Sequence, residues 1–491
     1  MAMRKNLSVM GMANLGAFLM NFLSVVVVSR LLTPQEIGIY SVSVAVLGIA
    51  HIFRDFGVGQ YLVQAKVVGQ EEFRAAFSVT LFSSWLLAIL LFLAGAPLSE
   101  LYEHQGVAEV LAILCVNFLI LPFGTPLLSL MQRELQFKLL AFNMWMSTFV
   151  QTSVTIACAY AGQGYLSMAW GALASHAVKV LWLNAIRPGE IFMWPTFKGL
   201  GETVRFGSLS SLASIIKEVG TGAPDLILGK TLGFVEVAFL SRAAGLKKML
   251  ITRLVGFIRS VYFPTFASEL RKGRDGAAMY SQAMLYMVAI TGPVLAVLAV
   301  VSEPLILFLF GAQWERSAPL ASLICFYGML VTPYSLYSLS LIAAGQVGRN
   351  LWVESSIQIV QVLVLLSSIW LPLEQVVWLF GLVALVQMVS SQYAMNKTFG
   401  LTALAHLRAI SSSLVLIPTS VVGPAMVMLL AQTFGYSNWY FVILLFSGLT
   451  AAIGWGIGVY LTNHVMLKEL KNVLALLRSK YKQRFGSKEA G

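Results

Sequence analysis

Ten ionisable residues crowd into one largely apolar stretch of this chain: Arg205, Lys217, Glu218, Asp225, Glu236, Arg242, Lys247, Lys248, Arg253 and Arg259. Arg242 and Arg253 are eleven residues apart, about three helical turns, which puts them on nearly one face of a helix. The chemistry such groups offer is replacement of the water around an anion. Glu218 and Asp225 are seven apart, about two turns, but Gly220, Gly222 and Pro224 predict a break there. Broken helices expose backbone polar groups, which a membrane tolerates only against protein or a water-filled cavity. These residues predict a net-cationic, water-filled cavity. The alternative is internal pairing of Lys217 with Asp225 or Glu218. A second polar landmark is Arg54–Asp55, in IFRDFGVGQYLVQ, where an earlier apolar run ends.

The elements that must position these groups follow from composition. Of 491 residues, 58% are hydrophobic and 11% charged, against roughly 25% charged in a soluble domain. Such a chain cannot make a water-facing surface, so lipid must cover it. The apolar runs are continuous over about 17–25 residues, the length of a membrane-crossing helix. Barrel strands would alternate over about ten. Cys115, Cys158 and Cys325 lie inside apolar runs without metal-ligand spacing and read as small buried hydrophobes. The first run, Leu7 to Ser29, reads as a span rather than a cleaved signal.

The fold class expected is all-α integral membrane with about fourteen transmembrane helices. They fall near 7–29, 37–53, 75–95, 107–130, 139–161, 164–186, 203–229, 233–266, 279–301, 318–343, 351–371, 375–396, 409–432 and 438–462. Charge tests this register. With the N-terminus inside, twenty-two of the 33 Lys and Arg residues fall in inside segments, and three (Arg30, Lys230, Arg316) in outside loops. That is the positive-inside asymmetry, and one span more or fewer would invert every later loop. Both termini are therefore expected in the cytoplasm. The net charge of +12 is a topology signal, and no nucleic-acid partner is expected. The tail beyond Lys468, with Leu470, Val473, Leu474, Leu476 and Leu477, is expected along the anionic inner leaflet.

The chain resembles itself at an offset of 200. SRLLTPQEIGIYS (29–41) falls on GKTLGFVEVAFLS (229–241), keeping Leu32/Leu232, Glu36/Glu236 and Ser41/Ser241, with Arg30 opposite Lys230. Six spans per copy is an even number, so the repeat is parallel, a transporter architecture with a site between lobes. The expected organisation is an N-terminal lobe (1–198), a C-terminal lobe (199–405), an added helix pair (406–466) and a basic cytoplasmic tail (467–491).

Several apparent motifs fail. Gly229-Lys230-Thr231 lacks the earlier glycine of a phosphate loop, which would fall at Pro224. With three aspartates (Asp55, Asp225, Asp275) there is no Asp-x-Asp pair, and His51, His104, His176, His406 and His464 are scattered. No metal site, cofactor or covalent catalysis is expected.

Four segments carry a resemblance: VSRLLTPQEIGIYSVSVAVLGIAHIFRDFGVGQYLVQ (28–64), RELQFK (133–138), PDLILGKTLGFVEVAFLSRAAGL (224–246) and VYFPTFAS (261–268). The chain resembles bacterial polysaccharide exporters of the multidrug/oligosaccharidyl-lipid/polysaccharide superfamily, nearest to the flippases for exopolysaccharide, capsule or O-antigen units. The resemblance implies two six-helix lobes around a V-shaped central cavity in the cell inner membrane. It implies a non-enzymatic flippase that moves undecaprenyl-pyrophosphate-linked oligosaccharide to the periplasmic leaflet by alternating access. In the related lipid II flippases, arginines on spans one, two and eight line the cavity; Arg54 and Arg242 match the last two, while span one has only Arg30 at its outer end. The expected pyrophosphate-binding set is Arg54, Arg242, Arg253 and Lys217. The expected coupling or pairing set is Asp55, Glu218 and Asp225. An H+ or Na+ gradient, or the membrane potential, is the candidate driving force. Membrane lipids, a polysaccharide polymerase and chain-length or export proteins are the candidate partners.

Three rivals remain. A drug/cation antiporter of the same superfamily would favour a net-acidic cavity. A multi-span polysaccharide polymerase, an enzyme, would need a large extracytoplasmic loop, and every outside loop here is short. A non-transporting scaffold is the third. Alkaline phosphatase fused after residues 103, 163 or 315 is expected to be active, and after 135, 273 or 399 inactive; the reverse pattern would overturn the assigned sides.

Overall fold

A computed structural model describes residues 2–55, 62, 69–188, 194–196, 220–469 and 471; for 2–9, 52–55, 250, 252–254, 257 and 260 it gives the helix alone. Every regular element among the described residues is helical. The long ones are α1 (Ala2–Leu31), α2 (Pro34–Asp55), α3 (Gln70–Leu101), α4 (Gln105–Ile120), α5 (Thr125–Arg133), α6 (Phe137–Tyr160) and α7 (Leu166–Ile186). Residues 220–231 form α8. There follow α9 (Phe234–Arg271), α10 (Gly276–Val300), α11 (Ser302–Phe310), α12 (Ser317–Val331), α13 (Tyr337–Ala343), α14 (Val347–Leu366), α15 (Leu373–Phe399), α16 (Ala403–Thr433) and α17 (Tyr440–Leu461).

Ten helices among the described residues are long and apolar enough to cross a membrane. Three further expected spans correspond to the helices α2, α6 and α9, of 22, 24 and 38 residues, hence about 33, 36 and 57 Å long; α6 and α9 carry polar groups such as Asn143, Gln151, Arg242 and Lys247. The expected seventh span lies largely outside the described residues. Its described part corrects one expectation: α8 runs helically through Gly222 and Pro224 without a break.

The surface is apolar where lipid would lie. On α1, Met12, Leu15, Leu19 and Leu23 form an exposed stripe; on α17, Phe441, Leu445, Leu449, Ile453 and Ile457 do the same. Inside, hydroxyl groups turn back on their own helices. Ser43 donates to the Ile39 carbonyl at 2.9 Å, Thr80 to Ala76 at 2.9 Å and Thr291 to Met287 at 2.7 Å, the usual way to satisfy such groups away from water.

The chain forms two compact units, Met1–Ser241 with Leu365–Leu373, and Arg242–Val364 with Glu374–Gly491. The division falls inside α9. The expected lobe boundary at 198/199 lies outside the described residues. In the first unit α1 packs on α6, α3 on α4, and α4 and α6 on α7. In the second, α10 packs on α12 and α16, and α16 on α17. Polar contacts fix that last group. Trp455 Nε1 donates to the Ala289 carbonyl at 2.8 Å, and Ser413 Oγ to Leu285 at 2.6 Å. Met466 N–H donates to His464 Nδ1 at 3.1 Å, so the proton sits on His464 Nε2, 2.9 Å from Ser413 Oγ.

The offset of 200 reappears in the backbone. One helix ends at Leu31 and the next starts at Pro34; α8 ends at Thr231 and α9 starts at Phe234. Two devices make the same break. Thr33 and Glu36 form a capping box: Thr33 N–H and Oγ1 donate to Glu36 Oε2 at 2.7 and 2.8 Å, and Glu36 N–H donates to Thr33 Oγ1 at 3.3 Å. Position 233 is instead a glycine at φ +91°, a conformation that favours glycine.

Small residues set the α16–α17 approach: a Cβ on Gly454 would overlap the Thr419 carbonyl, whereas one on Gly456 meets nothing within 4 Å. Gly454→Val is expected to cost about 1–3 kcal/mol through overpacking, lowering the thermal midpoint in detergent, with Gly456→Ala leaving it unchanged. Equal midpoints for both would remove this contact as a stability determinant.

Candidate functional site

The helix α9 presents two unlike faces. At about 100° per residue, Arg242, Gly245, Arg253 and Gly256 share a sector of roughly 80°. A Cβ added at Gly245 or Gly256 would meet nothing within 4 Å, so this face is open. The exposed Lys248 lies at its edge. On the opposite side Lys247 packs against α12: a Cβ on Gly328 would lie 2.7 Å from Lys247 Cε. One turn on, Ile251 packs against a buried cluster of Leu295, Leu298 and Cys325.

Arg242 is the best-defined group on the open face. Its guanidinium carbon lies 5.3 Å from the Trp314 ring centroid and 5.8 Å from that of Phe310. Both rings are buried, at 0% and 4% exposure. Phe310 ends α11 and Trp314 closes the short turn Ala312–Trp314, so one connection between helices supplies both. Aromatic faces within about 6 Å attract a cation through the ring quadrupole. They hold the guanidinium without consuming its N–H donors. Arg242 Nε is buried and has no hydrogen-bond partner. A held cation with an unspent donor is suited to an incoming anion, and phosphate oxygens match guanidinium geometry.

The other expected residues divide as follows. Arg54 and Asp55 end α2, and Arg253 lies on α9; only their helices are described. Lys217 and Glu218 lie outside the described residues. Asp225, on α8 in the first unit, is half-buried and engaged. Arg259 is exposed, and its guanidinium donates to the Ser335 carbonyl at 3.2 Å.

Two features escaped the sequence reading. Phe310 and Trp314 carry no signal of their own in the sequence, because the fold alone brings that connection to α9. In the second unit Tyr337 donates to Glu354 Oε1 at 2.8 Å; the one acid in the helix Val347–Leu366 was the available signal. Among the described residues no cluster of His, Cys, Asp and Glu is suited to a metal ion.

Comparison with known proteins places this geometry. The fold matches the lipid II flippase MurJ in an inward closed conformation, with a TM-score of 0.72 and 12% identity over 92% of this chain and 98% of that one. It also matches an inward-facing multidrug resistance MATE transporter, with a TM-score of 0.59 and 16% identity over 79% and 96%. The chain thus shares the fold of these two solved structures. Residues 27–319 match the polysaccharide biosynthesis protein family, and the chain belongs to that family. Curated relatives include the lipopolysaccharide biosynthesis protein WzxC of Escherichia coli K12, 23% identical over 62% of each chain. The succinoglycan biosynthesis transport protein ExoT of Rhizobium meliloti is 24% identical over 69% of this chain and 68% of that one. The teichuronic acid biosynthesis protein TuaB of Bacillus subtilis is 20% identical over 74% and 75%. The matched stretch thus spans less than two thirds of the length of the Escherichia coli relative.

Removing one aromatic face with Trp314→Leu is expected to weaken the hold on Arg242 by about 0.5–2 kcal/mol. That would read as roughly two- to thirty-fold weaker binding of a polyprenyl pyrophosphate to purified protein, with Arg242→Ala abolishing it. Equal binding by both variants and the parent would remove Arg242 from the site.

Proposed function

We propose that this protein flips an undecaprenyl-pyrophosphate-linked oligosaccharide from the cytoplasmic to the periplasmic leaflet of the inner membrane, for exopolysaccharide, capsule or O-antigen synthesis. The observation that carries this reading is Arg242: a guanidinium held by Trp314 and Phe310, on an open face of α9, with a buried unspent donor. A pyrophosphate crossing roughly 30 Å of hydrocarbon loses its water, and a cationic face replaces that hydration. The polyprenyl chain stays in lipid, and the glycan needs only polar, wet surroundings. No bond is made or broken, so the protein acts as a transporter and not as an enzyme.

Membership of the polysaccharide biosynthesis family and the names of its relatives support a carbohydrate cargo. A basic face disfavours the cationic cargo of a drug antiporter. The charge asymmetry of the loops supports cytoplasmic termini. On that reading the end where α1 meets α2, and α8 meets α9, is the periplasmic one. Alternating access is the proposed route, with Arg242 the anion contact, Arg54, Arg253 and Lys217 the further candidates, and Glu218 or Asp225 the candidates for coupling to a cation gradient.

In a strain lacking the gene, complete lipid-linked units are expected to accumulate in the cytoplasmic leaflet. Arg242→Ala is expected not to restore export at normal protein levels. Accumulation on the outer face would point to polymerisation, and unchanged lipid-linked sugars with new drug sensitivity would point to an antiporter.

A further inference from the structure

In the second unit the outward sides of α14 and α15 carry apolar stripes that end in aromatic and basic groups. On α15 the exposed Leu382, Leu385 and Val389 lead, in steps of three and four, to the exposed Tyr393 and Lys397. On α14 the exposed Leu363 and Ile359 lead back to the exposed Trp352. From Leu382 to Tyr393, and from Trp352 to Leu363, is about 16 Å of helix. That is the depth of one leaflet of a hydrocarbon core roughly 30 Å thick.

At the aromatic end the two helices are tied together. The Arg349 guanidinium donates to the Lys397 carbonyl at 3.2 Å and to Thr398 Oγ1 at 2.9 Å. The Trp352 ring stands 5.7 Å from that of Tyr393, and Lys397 Nζ lies 5.9 Å from the Tyr393 centroid. Among the described residues neither Arg349 nor Lys397 has a carboxylate partner. The basic hairpin between α9 and α10 differs: Lys272 and Arg274 both pair with Glu269, at 2.7 and 2.8 Å.

We infer that this end of the α14–α15 pair is a binding site for an anionic phospholipid, with its phosphate against Arg349 and Lys397 and its acyl chains along the two stripes. Placing it in the inner leaflet rests on the topology proposed above. Basic groups at a membrane surface draw anionic headgroups, and phosphate oxygens match guanidinium geometry. Arg349 is already fixed by its two bonds to α15, so little freedom is lost when it binds. Trp352 and Tyr393 sit where aromatic rings are enriched, at headgroup level. An aromatic belt alone would be indifferent to headgroup charge, whereas two cations without a carboxylate are not. The stripes are one leaflet deep, which suits the acyl chains of a phospholipid; a long polyprenyl chain would outrun them. A lipid bound here bridges α14 and α15.

The test uses purified full-length protein in detergent, read by native mass spectrometry and thermal midpoint. Dioleoyl phosphatidylglycerol is the probe, dioleoyl phosphatidylcholine the control and undecaprenyl phosphate the competitor. The parent is expected to retain phosphatidylglycerol over phosphatidylcholine and to melt higher with it. The ammonium of Lys397 meets the Tyr393 ring and no acceptor among the described residues, so Lys397→Gln is expected to leave the lipid-free midpoint unchanged. It is expected to weaken the most tightly held phosphatidylglycerol about fivefold, the scale of one basic group at an anionic surface. Lys272→Gln, which removes a cation already paired, is expected to change nothing. Arg349→Gln is expected to add to the loss, and Arg349→Lys to restore part of it. Equal retention of the two lipids by the parent, or equal phosphatidylglycerol retention by the parent and Lys397→Gln, would overturn the proposal. Undecaprenyl phosphate displacing phosphatidylglycerol at equal concentration would also overturn it and make this a cargo site. None of these measurements reads export, so failure of the flippase reading and failure of this site are distinguishable.

Discussion

A charge in hydrocarbon needs something in place of its water, and the arrangement of this protein follows from that. Arg242 meets the requirement with aromatic faces instead of a carboxylate. A paired arginine would be stable but occupied. A solvated one would need an open channel at all times. An arginine held by Phe310 and Trp314 is stabilised through its faces and remains able to donate in its plane. The same side of α9 carries Gly245 and Gly256, where an added Cβ would meet nothing within 4 Å. The opposite side of the same helix faces α12 through Lys247 and the Leu295 cluster through Ile251. One helix thus separates a face for ligand from a face for packing.

The second demand is that backbone and hydroxyl groups be satisfied without water. Serine and threonine answer it locally, through carbonyls on their own helices. Trp455 and Ser413 answer it between helices, tying the last hairpin to α10. Each of these bonds also fixes a helix rotation, so the same contacts that remove a penalty specify the packing.

Much of this was legible in the sequence, because hydropathy and charge placement act over whole helices. Ten spans stand out on apolarity among the described residues. The break near residue 32 and its counterpart near 232 lie where the repeat put them. The eleven-residue spacing of Arg242 and Arg253 puts both in one sector of α9. What the sequence withheld was tertiary. The pairing of Arg242 with Trp314 joins residues 72 positions apart, and no local pattern encodes it. Gly222 and Pro224 read as helix breakers, yet α8 continues through them, since membrane helices tolerate both residues. Glu354 was visible as a lone acid, but its partner Tyr337 was not.

The length of α9 has a mechanical meaning. The stretch from Phe234 to Pro264 makes a beam of about 45 Å, and Pro264 is the first proline along it. Its start is where a Cβ on Gly38 would overlap the Phe234 carbonyl. A beam pinned at one end multiplies motion: a tilt of about 10° moves the far end by about 8 Å at that length. A displacement at the tip wide enough to pass a sugar ring then needs only a small slip at the fulcrum. A backbone contact without side chains permits such a slip, and a large interlocked residue would prevent it.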